Sequence, residues 1–330
     1  MDLNQKQSKK VLKEIQQNYS EKTTTIKWLE SRSKDEAEKK LWEIITHNTL
    51  SVYNLIEYAG HLVPEQRMVR IGSDQLPGFT HPNLQYFWQQ PDVLIFLEKR
   101  FRNAGDLARQ LDVRLSMHPG QFVVLASASP DVVKRSIAEF EYHANIIRWM
   151  GYGKVFQDFK CNVHISGKQG PEGIKLILGK LSPEARNTIT IENDEMSWGI
   201  DASLELENHL ALVLDIHHHW IRTGEYIQIS DNRVRRVIDS WRDVRPVIHY
   251  SVSPEHVLNH HAVDVLPDLN KLLSQGYNKS QLRQHSDYMW NNACNAWAGT
   301  FRNQFDIMIE AKNKNLASIP FEVATRHLLS

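Results

Sequence analysis

Histidines and carboxylates stand directly after apolar segments at several points of this sequence, where they could bind a metal ion. The clearest case is Ala211-Leu-Val-Leu-Asp215-Ile-His-His-His219, in which an apolar run leads into an acid and three histidines. A continuous apolar run of this kind predicts a strand buried on both faces. Parallel α/β folds carry their chemistry at the carboxyl ends of strands. Asp215 and His218 therefore offer an oxygen and a nitrogen ligand that could share one metal ion.

The same pattern recurs at the ends of six successive apolar segments. Its residues are His118, His164, Glu192, Asp215, His249 and Glu310. A single histidine at such a place is most often a hydrogen-bonding residue, and a single acid often caps the next helix. Several ionised carboxylates that converge at one edge repel one another unless a cation or a proton lies between them. The whole set therefore predicts a metal centre, with Glu192, Asp215 and Glu310 as its catalytic carboxylates.

Neighbouring strands share neighbouring space, which sorts these residues into groups. The first group is His118, His164 and Glu192. The second group is Glu192, Asp215, His249 and Glu310, with Glu192 bridging the two. His218 indicates a third ion, whose other ligands must come from the late part of the chain. Clustered metals bridged by carboxylates suit phosphoryl chemistry, and imidazole together with carboxylate donors fits zinc or manganese alike.

The elements that would position these residues alternate between short apolar segments and amphipathic stretches. The predicted strands are Met68 to Ser73, Val113 to His118, Cys161 to Ser166, Thr188 to Glu192, Leu212 to Asp215, Pro246 to Tyr250 and Asp306 to Glu310. Strands and helices in alternation imply βα units and a parallel sheet. Seven such strands in 330 residues predict an α/β fold of the TIM-like (β/α)8 barrel type, with the first strand missing or replaced.

The regions outside this alternation are helical or long and irregular. Helical spacing is found over Lys9 to Gln16, Glu36 to Tyr58 and Val132 to Met150. Residues 1–35 form an atypical N-terminal region. A connection over residues 251–305 is rich in His, Asn and Asp, and loops of this length are usually functional or carry their own structure. No linker or break in composition divides the chain, so a single domain over residues 1–330 is expected.

The overall composition excludes several classes of protein. The 39 basic and 39 acidic residues balance, which argues against a broadly basic protein that coats nucleic acid but allows a local basic groove. Cys161 and Cys294 form neither a CxxC pair nor a disulfide framework, which favours a reducing compartment. The polar, lysine-rich start is not a signal peptide, and no apolar run approaches the ~20 residues of a membrane span. A cytoplasmic monomer without a membrane partner is expected.

At these residues the sequence resembles the UV-damage endonuclease family, whose (β/α)8-barrel repair enzymes are related in architecture to metal-dependent AP endonucleases. The similar stretches begin with Arg70-Ile-Gly-Ser, Leu115-Ser-Met-His-Pro-Gly-Gln-Phe122, Phe140-Glu-Tyr-His-Ala-Asn145 and Val163-His-Ile-Ser-Gly. They continue with Ile191-Glu-Asn-Asp194, Leu214-Asp-Ile-His-His-His219, His249-Tyr-Ser, His285-Ser-Asp-Tyr288 and Ile309-Glu-Ala-Lys-Asn-Lys314. They follow the family's order over about residues 40–317, which is far more specific than any single motif.

The resemblance implies an endonuclease that breaks one strand of duplex DNA immediately 5′ of pyrimidine dimers and 6-4 photoproducts. It implies up to three divalent ions, with ligands His118, His164, Glu192, Asp215, His218, His249, His285 and Glu310. Within the late connection it selects His285 rather than His256, His260 or His261. Residues 253–284 are then an insertion relative to shorter members of the family.

The resemblance also implies which residues contact UV-damaged double-stranded DNA. Gln121 and Phe122 match the pair that, in the family, pushes into the duplex where damaged bases are flipped out. Packing of Phe122 in the core is the competing interpretation. The expected phosphate contacts are Arg70, Lys168, Lys312 and Lys314. The residues expected to support the metal ligands are His81, His143, His217 and Asp287.

Two departures from the family bear on activity. The family opens with a short strand that contains Gly-Tyr, whereas Met1 to Asn18 has a helical pattern here. A lysine that can be carboxylated commonly stands two residues before the strand-seven histidine, where this chain has Val247, so the third metal has fewer protein donors. Other functions stay open: an AP endonuclease, a damage-binding protein with impaired catalysis, and a sugar isomerase-like metal barrel.

Overall fold

The computed structural model describes residues 15–328, in which short parallel strands alternate with helices. The strands are β1 Met68–Ile71, β2 Arg114–Met117, β3 Lys160–His164, β4 Ile189–Glu192, β5 Ala211–Asp215, β6 Val247–Tyr250 and β7 Asp306–Ile309. Each predicted strand overlaps an observed one, and the α/β prediction is confirmed. The full eight-stranded barrel is not found, because the described residues contain seven strands and none lies before β1.

Helices alternate with these strands along the described part of the chain. They are α1 Ile26–Glu30, α2 Lys34–Gly60, α3 Gln85–Trp88, α4 Pro91–Gln110, α5 Pro130–Trp149, α6 Gly170–Leu178, α7 Pro183–Thr188, α8 Ile200–Leu204, α9 Ile216–Thr223, α10 Asn232–Asp239, α11 Leu269–Ser274, α12 Lys279–Leu282, α13 Asn292–Gly299 and α14 Asn315–Thr325. Two expected helices correspond to α2 and α5, whereas the one over Lys9 to Gln16 begins outside the described residues. Within residues 15–328, no helix has the length and apolarity to cross a bilayer.

The chain divides into two compact units. Among the described residues, the first consists of residues 15–123, Ile137–Cys161 and Ser182–Thr188, and the second of Val124–Ser136, Asn162–Leu181 and residues 189–328. Strand β3 passes from the first unit into the second at residue 161. A single domain over residues 1–330 stays a prediction.

The first unit is built on β1, β2 and the start of β3, which pair in parallel. Val69 and Leu115 are register partners and both are buried. Helix α2 packs against α4 and β1. It begins at a capping box, in which Ser33 accepts from the N–H of Glu36 while the Glu36 carboxylate accepts from the N–H of Ser33. The two reciprocal bonds satisfy N–H groups that a helix start otherwise leaves without partners.

The second unit contains the end of β3 followed by β4 to β7, again all parallel. Every residue of β4, β5 and β6 is buried, as the continuous apolar runs predict for strands covered on both faces. The N–H of Ile165 donates to the carbonyl of Glu192, and Asp215 is the register partner of His249. Parallel register therefore brings the last residues of neighbouring strands to one edge.

Strand β5 passes into helix α9 without an intervening loop. Asp215 is both the last strand residue and the N-cap, since its Oδ1 accepts from the N–H of His218 at 2.7 Å. Such a side-chain cap satisfies a donor that the first helical turn leaves unpaired. Gly224, at φ 79°, ends the helix in the left-handed conformation that glycine adopts readily. The direct junction fixes His217, His218 and His219 on the first turn of α9.

The expected insertion over residues 253–284 carries structure of its own. It contains α11 and α12 and forms a small apolar core with α9. The buried members of that core are Trp220, Ile221, Leu258, Leu269, Leu272 and Leu282. The insertion is thus packed against the helix that bears the three consecutive histidines.

Candidate metal centre

The carboxyl ends of β3 to β7 carry the candidate ligands of the second unit. His164, Glu192 and Asp215 are the last residues of β3, β4 and β5, and Glu310 directly follows β7. His249 stands one residue before the end of β6, beside Asp215 in the register. The chain therefore delivers imidazoles and carboxylates to the edge where parallel folds place their chemistry.

Four of these residues form a tight buried cluster. Glu192, Asp215, His249 and Glu310 each offer one ligand atom, and these atoms all lie within 4.8 Å of one another. Nδ1 of His249 lies 3.1 Å from Oε2 of Glu192 and 3.3 Å from Oε1 of Glu310. Glu192, Asp215 and His249 have no exposed surface. The structure thus brings together the second predicted ligand group, whose role in metal binding stays a prediction.

Glu192 also belongs to a second cluster, with His164 and His218. Its Oε2 lies 3.9 Å from Nε2 of His164, and its Oε1 lies 3.4 Å from Nδ1 of His218. The two oxygens of one carboxylate therefore face different imidazoles. This placement suits the bridging role that the sequence predicts for Glu192.

The electrostatics of the cluster favour a bound cation. Burial raises the pKa of Asp215 well above its usual value, and the charges of Glu192 and Glu310 act in the same direction, against the attraction of His218. Oδ2 of Asp215 is buried and accepts no hydrogen bond from the residues that the structure describes. A divalent ion would offset the repulsion among these carboxylates and would bind the lone pairs of Oδ2 of Asp215. The donor set therefore fits a metal.

Asp194 was given no role by the sequence, yet its carboxylate lies beside a candidate ligand. Its Oδ2 is 3.6 Å from Nδ1 of His164, and its Oδ1 accepts from the N–H groups of Met196 and Ser197. Burial disfavours the ionised carboxylate of Asp194, but these contacts outweigh burial and lower the pKa of Asp194 to about 2. Burial likewise disfavours protonated His164, but Glu192 and Asp194 outweigh it and raise the pKa of His164 to about 10. The motif Ile191 to Asp194 was a signal that could have identified this acid.

Asn162 is a second residue that sequence reasoning missed. Its Nδ2 donates to Oε2 of Glu192, and its Oδ1 accepts from Oγ1 of Thr190 at 2.7 Å. Asn162 stands two residues before His164 on β3, and Thr190 stands two residues before Glu192 on β4. Because side chains alternate along a strand, each lies on the same face as the candidate ligand that follows it. The period of two along β3 and β4 could therefore have indicated this pair.

The remaining histidines of the second unit have different surroundings. Nε2 of His285 lies 3.7 Å from Oε2 of Glu310, so this candidate approaches the main cluster. His217 is buried, and its Nε2 contacts the carbonyl of Leu282 in the insertion at 3.2 Å. Burial lowers the pKa of His217 to about 3, which keeps it neutral. Its expected supporting role stays a prediction.

The candidate metal-related residues of the first unit are His118, which directly follows β2, together with His143 and His81. The carbonyl of His118 accepts from Oγ of Ser73 at 2.5 Å, and its Nδ1 contacts the carbonyl of Pro119 at 3.0 Å. His143 has no exposed surface, and burial lowers its pKa to about 4. His81 is half-buried. The metal-related roles predicted for His118, His143 and His81 stay predictions.

The expected DNA contacts are exposed to solvent. Phe122 is 85% exposed, so core packing, the competing interpretation of this residue, is wrong. Gln121 beside it is exposed, as are Arg70, Lys168, Lys312 and Lys314. Lys312 lies 3.6 Å from the exposed carboxylate of Asp287, whose expected role in supporting the metal ligands stays a prediction. The DNA contacts themselves stay predictions.

Buried histidines and carboxylates at the carboxyl ends of parallel strands define an α/β protein with a candidate metal centre. Comparison with known families gives the particular family. The model of UV-endonuclease UvdE matches residues 7–328, nearly the whole chain, and the protein therefore belongs to that family. The family expected from the sequence motifs is confirmed.

Similar proteins agree with this assignment. A UV DNA damage endonuclease of Bacillus cereus (strain G9842) is 25% identical over 308 residues, covering 90% of this chain and 86% of that protein. One from Bacillus cereus (strain ATCC 10987 / NRS 248) is 24% identical over 313 residues, with 91% and 87% covered. The crystal structure of SacUVDE is similar with a TM-score of 0.70 and 25% identity, covering 93% of each chain.

Proposed function

We propose that this protein is a metal-dependent DNA repair endonuclease that nicks duplex DNA 5′ of UV photoproducts. The observation that carries the proposal is the buried cluster of Glu192, Asp215, His249 and Glu310 in a chain of the UvdE family. Relatives named UV DNA damage endonucleases support the class of substrate. A cytoplasmic monomer is part of the proposal, and sedimentation of the purified protein checks the oligomeric state.

The donor set supports two or three divalent ions, with manganese as the proposed metal. Glu192, Asp215, His249 and Glu310 would hold one ion, and the imidazoles of His164 and His218 would serve the further ions. When bound, divalent ions at such a site activate water and stabilise the charge that develops on a phosphate. The protein's part is to hold three carboxylates and their imidazoles in a dry, fixed arrangement. Mixed nitrogen and oxygen donors suit manganese or zinc better than magnesium, which prefers oxygen ligands.

The exposure of Phe122 supports recognition of a distorted duplex. An aromatic ring that is 85% exposed gains little from folding, so its burial against bases on DNA binding is favourable. Gln121 would form hydrogen bonds with the polar edges of the displaced bases or take the place of these bases in the duplex. The overall charge is zero, so contacts to the phosphates would depend on local lysines such as Lys168 and Lys314.

The test uses a duplex oligonucleotide with one pyrimidine dimer, incubated with metal-free protein and added Mn²⁺, Zn²⁺ or Mg²⁺. We expect one nick, 5′ of the dimer, that requires the metal and is reduced on the order of a hundredfold or more in Asp215→Asn. Undamaged and abasic duplexes serve as comparisons. Absence of nicking with every metal contradicts the proposal. Preference for the abasic duplex indicates an AP endonuclease, and tight binding without cleavage indicates a damage-binding protein.

A further inference from the structure

The imidazole of His218 shows which of its nitrogens is available to a ligand. Nδ1 lies 3.1 Å from the carbonyl of Asn193 and 3.4 Å from Oε1 of Glu192. A carbonyl oxygen and a carboxylate oxygen only accept hydrogen bonds, so Nδ1 carries the proton. In the neutral ring the lone pair is then on Nε2, the nitrogen that points away from Asp215 and Glu192.

A carboxylate faces that second nitrogen. Oε2 of Glu195 lies 3.6 Å from Nε2 of His218, and both side chains are more than nine-tenths buried. This separation is too long for a hydrogen bond. It is close to the ~3.4 Å between two ligand atoms that each lie ~2.1 Å from a tetrahedral ion. By contrast, Oε2 of Glu225 lies 2.9 Å from Nε2 of His219, the distance of a direct hydrogen bond.

The insertion over residues 253–284 supplies the group that fixes this carboxylate. Nη1 of Arg283 donates to Oε1 of Glu195 at 2.6 Å, which leaves Oε2 directed at His218. Arg283 directly follows α12, whose Leu282 is buried in the apolar core shared with α9. The insertion and the helix that bears His218 are therefore packed together. Their packing sets the position of Glu195 relative to the imidazole.

We propose that Glu195 is a metal ligand, which shares one divalent ion with Nε2 of His218, and that Arg283 is its positioning residue. This inference rests on the proposed metal-dependent function and adds a ligand to it. A further imidazole, that of His164, has its ring centroid 5.4 Å from that of His218. The insertion thereby contributes to the metal centre through a charged side chain rather than through a ligand of its own.

The test compares metal binding by the full-length wild type, Glu195→Gln and the control Glu225→Gln. Metal-free proteins are dialysed against a series of free Zn²⁺ and Mn²⁺ concentrations, and the bound metal is measured by mass spectrometry. Loss of one ion, or about tenfold or greater weakening of one class of site, in Glu195→Gln alone supports the inference. Equal isotherms for wild type and Glu195→Gln overturn it and leave the proposed function standing. A wild type that binds no divalent ion contradicts both.

Two further variants keep the inference testable if Glu195→Gln does not fold. Glu195→Asp retains the charge but withdraws the carboxylate by one methylene, and Arg283→Met retains Glu195 but removes its anchor. Each should weaken the same class of ion, Arg283→Met less than Glu195→Asp. NMR of ¹⁵N-histidine in the Zn²⁺-loaded protein should show His218 protonated at Nδ1 alone. A His218 ring that remains protonated at both nitrogens in the loaded protein overturns the inference.

Discussion

The side-chain amide of Asn162 donates a hydrogen bond to the carboxylate of Glu192. The donor stands on β3 and the acceptor ends β4, so the bond spans two neighbouring strands. Thr190 donates to the amide oxygen of Asn162 and thereby fixes which end of the amide faces the carboxylate. Glu192 is shared by both clusters of candidate ligands, so its orientation affects both. Asn162 therefore fixes the orientation of the Glu192 carboxylate.

Replacing Asn162 by alanine should weaken metal binding by about ten- to a hundredfold, the usual effect of losing a partner that orients a ligand. The variant removes the donor to Glu192 without removing any candidate ligand. Calorimetric titration of the metal-free protein with Mn²⁺ measures the change. Asn187→Ala is the control, because Asn187 donates to the carbonyl of Gly153, in the first unit. Unchanged affinity in Asn162→Ala would show that Glu192 is held without its help.

Phe122→Ala should leave the free energy of unfolding within about 0.5 kcal/mol of the wild type, since the ring is 85% exposed. It should strongly reduce nicking of the dimer-containing duplex. Phe140→Ala is the matched control, because Phe140 is fully buried and its removal should cost about 3–5 kcal/mol. Denaturant unfolding and nicking are measured on the same samples. A large loss of stability in Phe122→Ala, or full nicking activity, contradicts the proposed insertion of Phe122 into the duplex.

His143 should make the metal-free protein less stable in mild acid. Burial lowers the pKa of His143 from 6.5 to about 4, so between these values the unfolded chain takes up a proton that the folded chain does not. Stability is therefore complete above pH 6.5 and falls as the pH decreases towards 4. From pH 7 to pH 5 the loss from this residue is about 2 kcal/mol.

Denaturant unfolding of His143→Asn at both pH values measures this contribution. Asparagine can still donate to the carbonyl of Glu139, as Nδ1 of His143 does at 2.8 Å. The exposed His61 makes a similar contact to Glu57, so His61→Asn is the matched control. The acid-dependent loss should shrink in His143→Asn and remain in His61→Asn. Equal pH dependence in wild type and His143→Asn would contradict the assignment.

Chelation of divalent ions should lower the melting temperature as well as abolish nicking. Without a cation, the buried carboxylates of Glu192, Asp215 and Glu310 repel one another. A ligand that binds only the folded state adds about 2.7 kcal/mol of stability at a hundred times its dissociation constant. Thermal melts at increasing Mn²⁺ check this, with Ca²⁺ as a comparison that prefers oxygen ligands. A melting temperature that does not respond to Mn²⁺ argues against a metal centre.

The exposed lysines should determine the salt dependence of DNA binding. Removing one lysine that binds a phosphate should reduce the slope of log affinity against log salt concentration by about 0.9. We expect this of Lys168→Ala and Lys314→Ala, measured by fluorescence anisotropy with a dimer-containing duplex. Lys154→Ala is the control, since Lys154 is an exposed lysine of the first unit with no predicted role in DNA binding. Equal slopes for all three variants would remove these lysines from the DNA-binding surface.

The order of elements and the main ligand candidates are predictable from local patterns in the sequence. Apolar runs such as Leu212 to Leu214 mark strands that are buried on both faces, and this pattern survives folding because it reports burial directly. A histidine or an acid at the end of such a run is predictable for the same reason, since parallel strands bring their ends to one edge. The family followed from the order of these motifs.

Which side chains support those ligands, and at what distance, depends on how distant segments pack in the folded chain. Asn162, Asp194 and Glu195 gained their roles from partners on other strands or in the insertion, and a linear sequence does not specify such distances. The exposure of Phe122 was likewise undecided, because Gln-Phe-Val-Val-Leu is equally typical of a core segment. Local pattern fixes whether a residue can be buried, whereas packing between distant segments fixes what it touches.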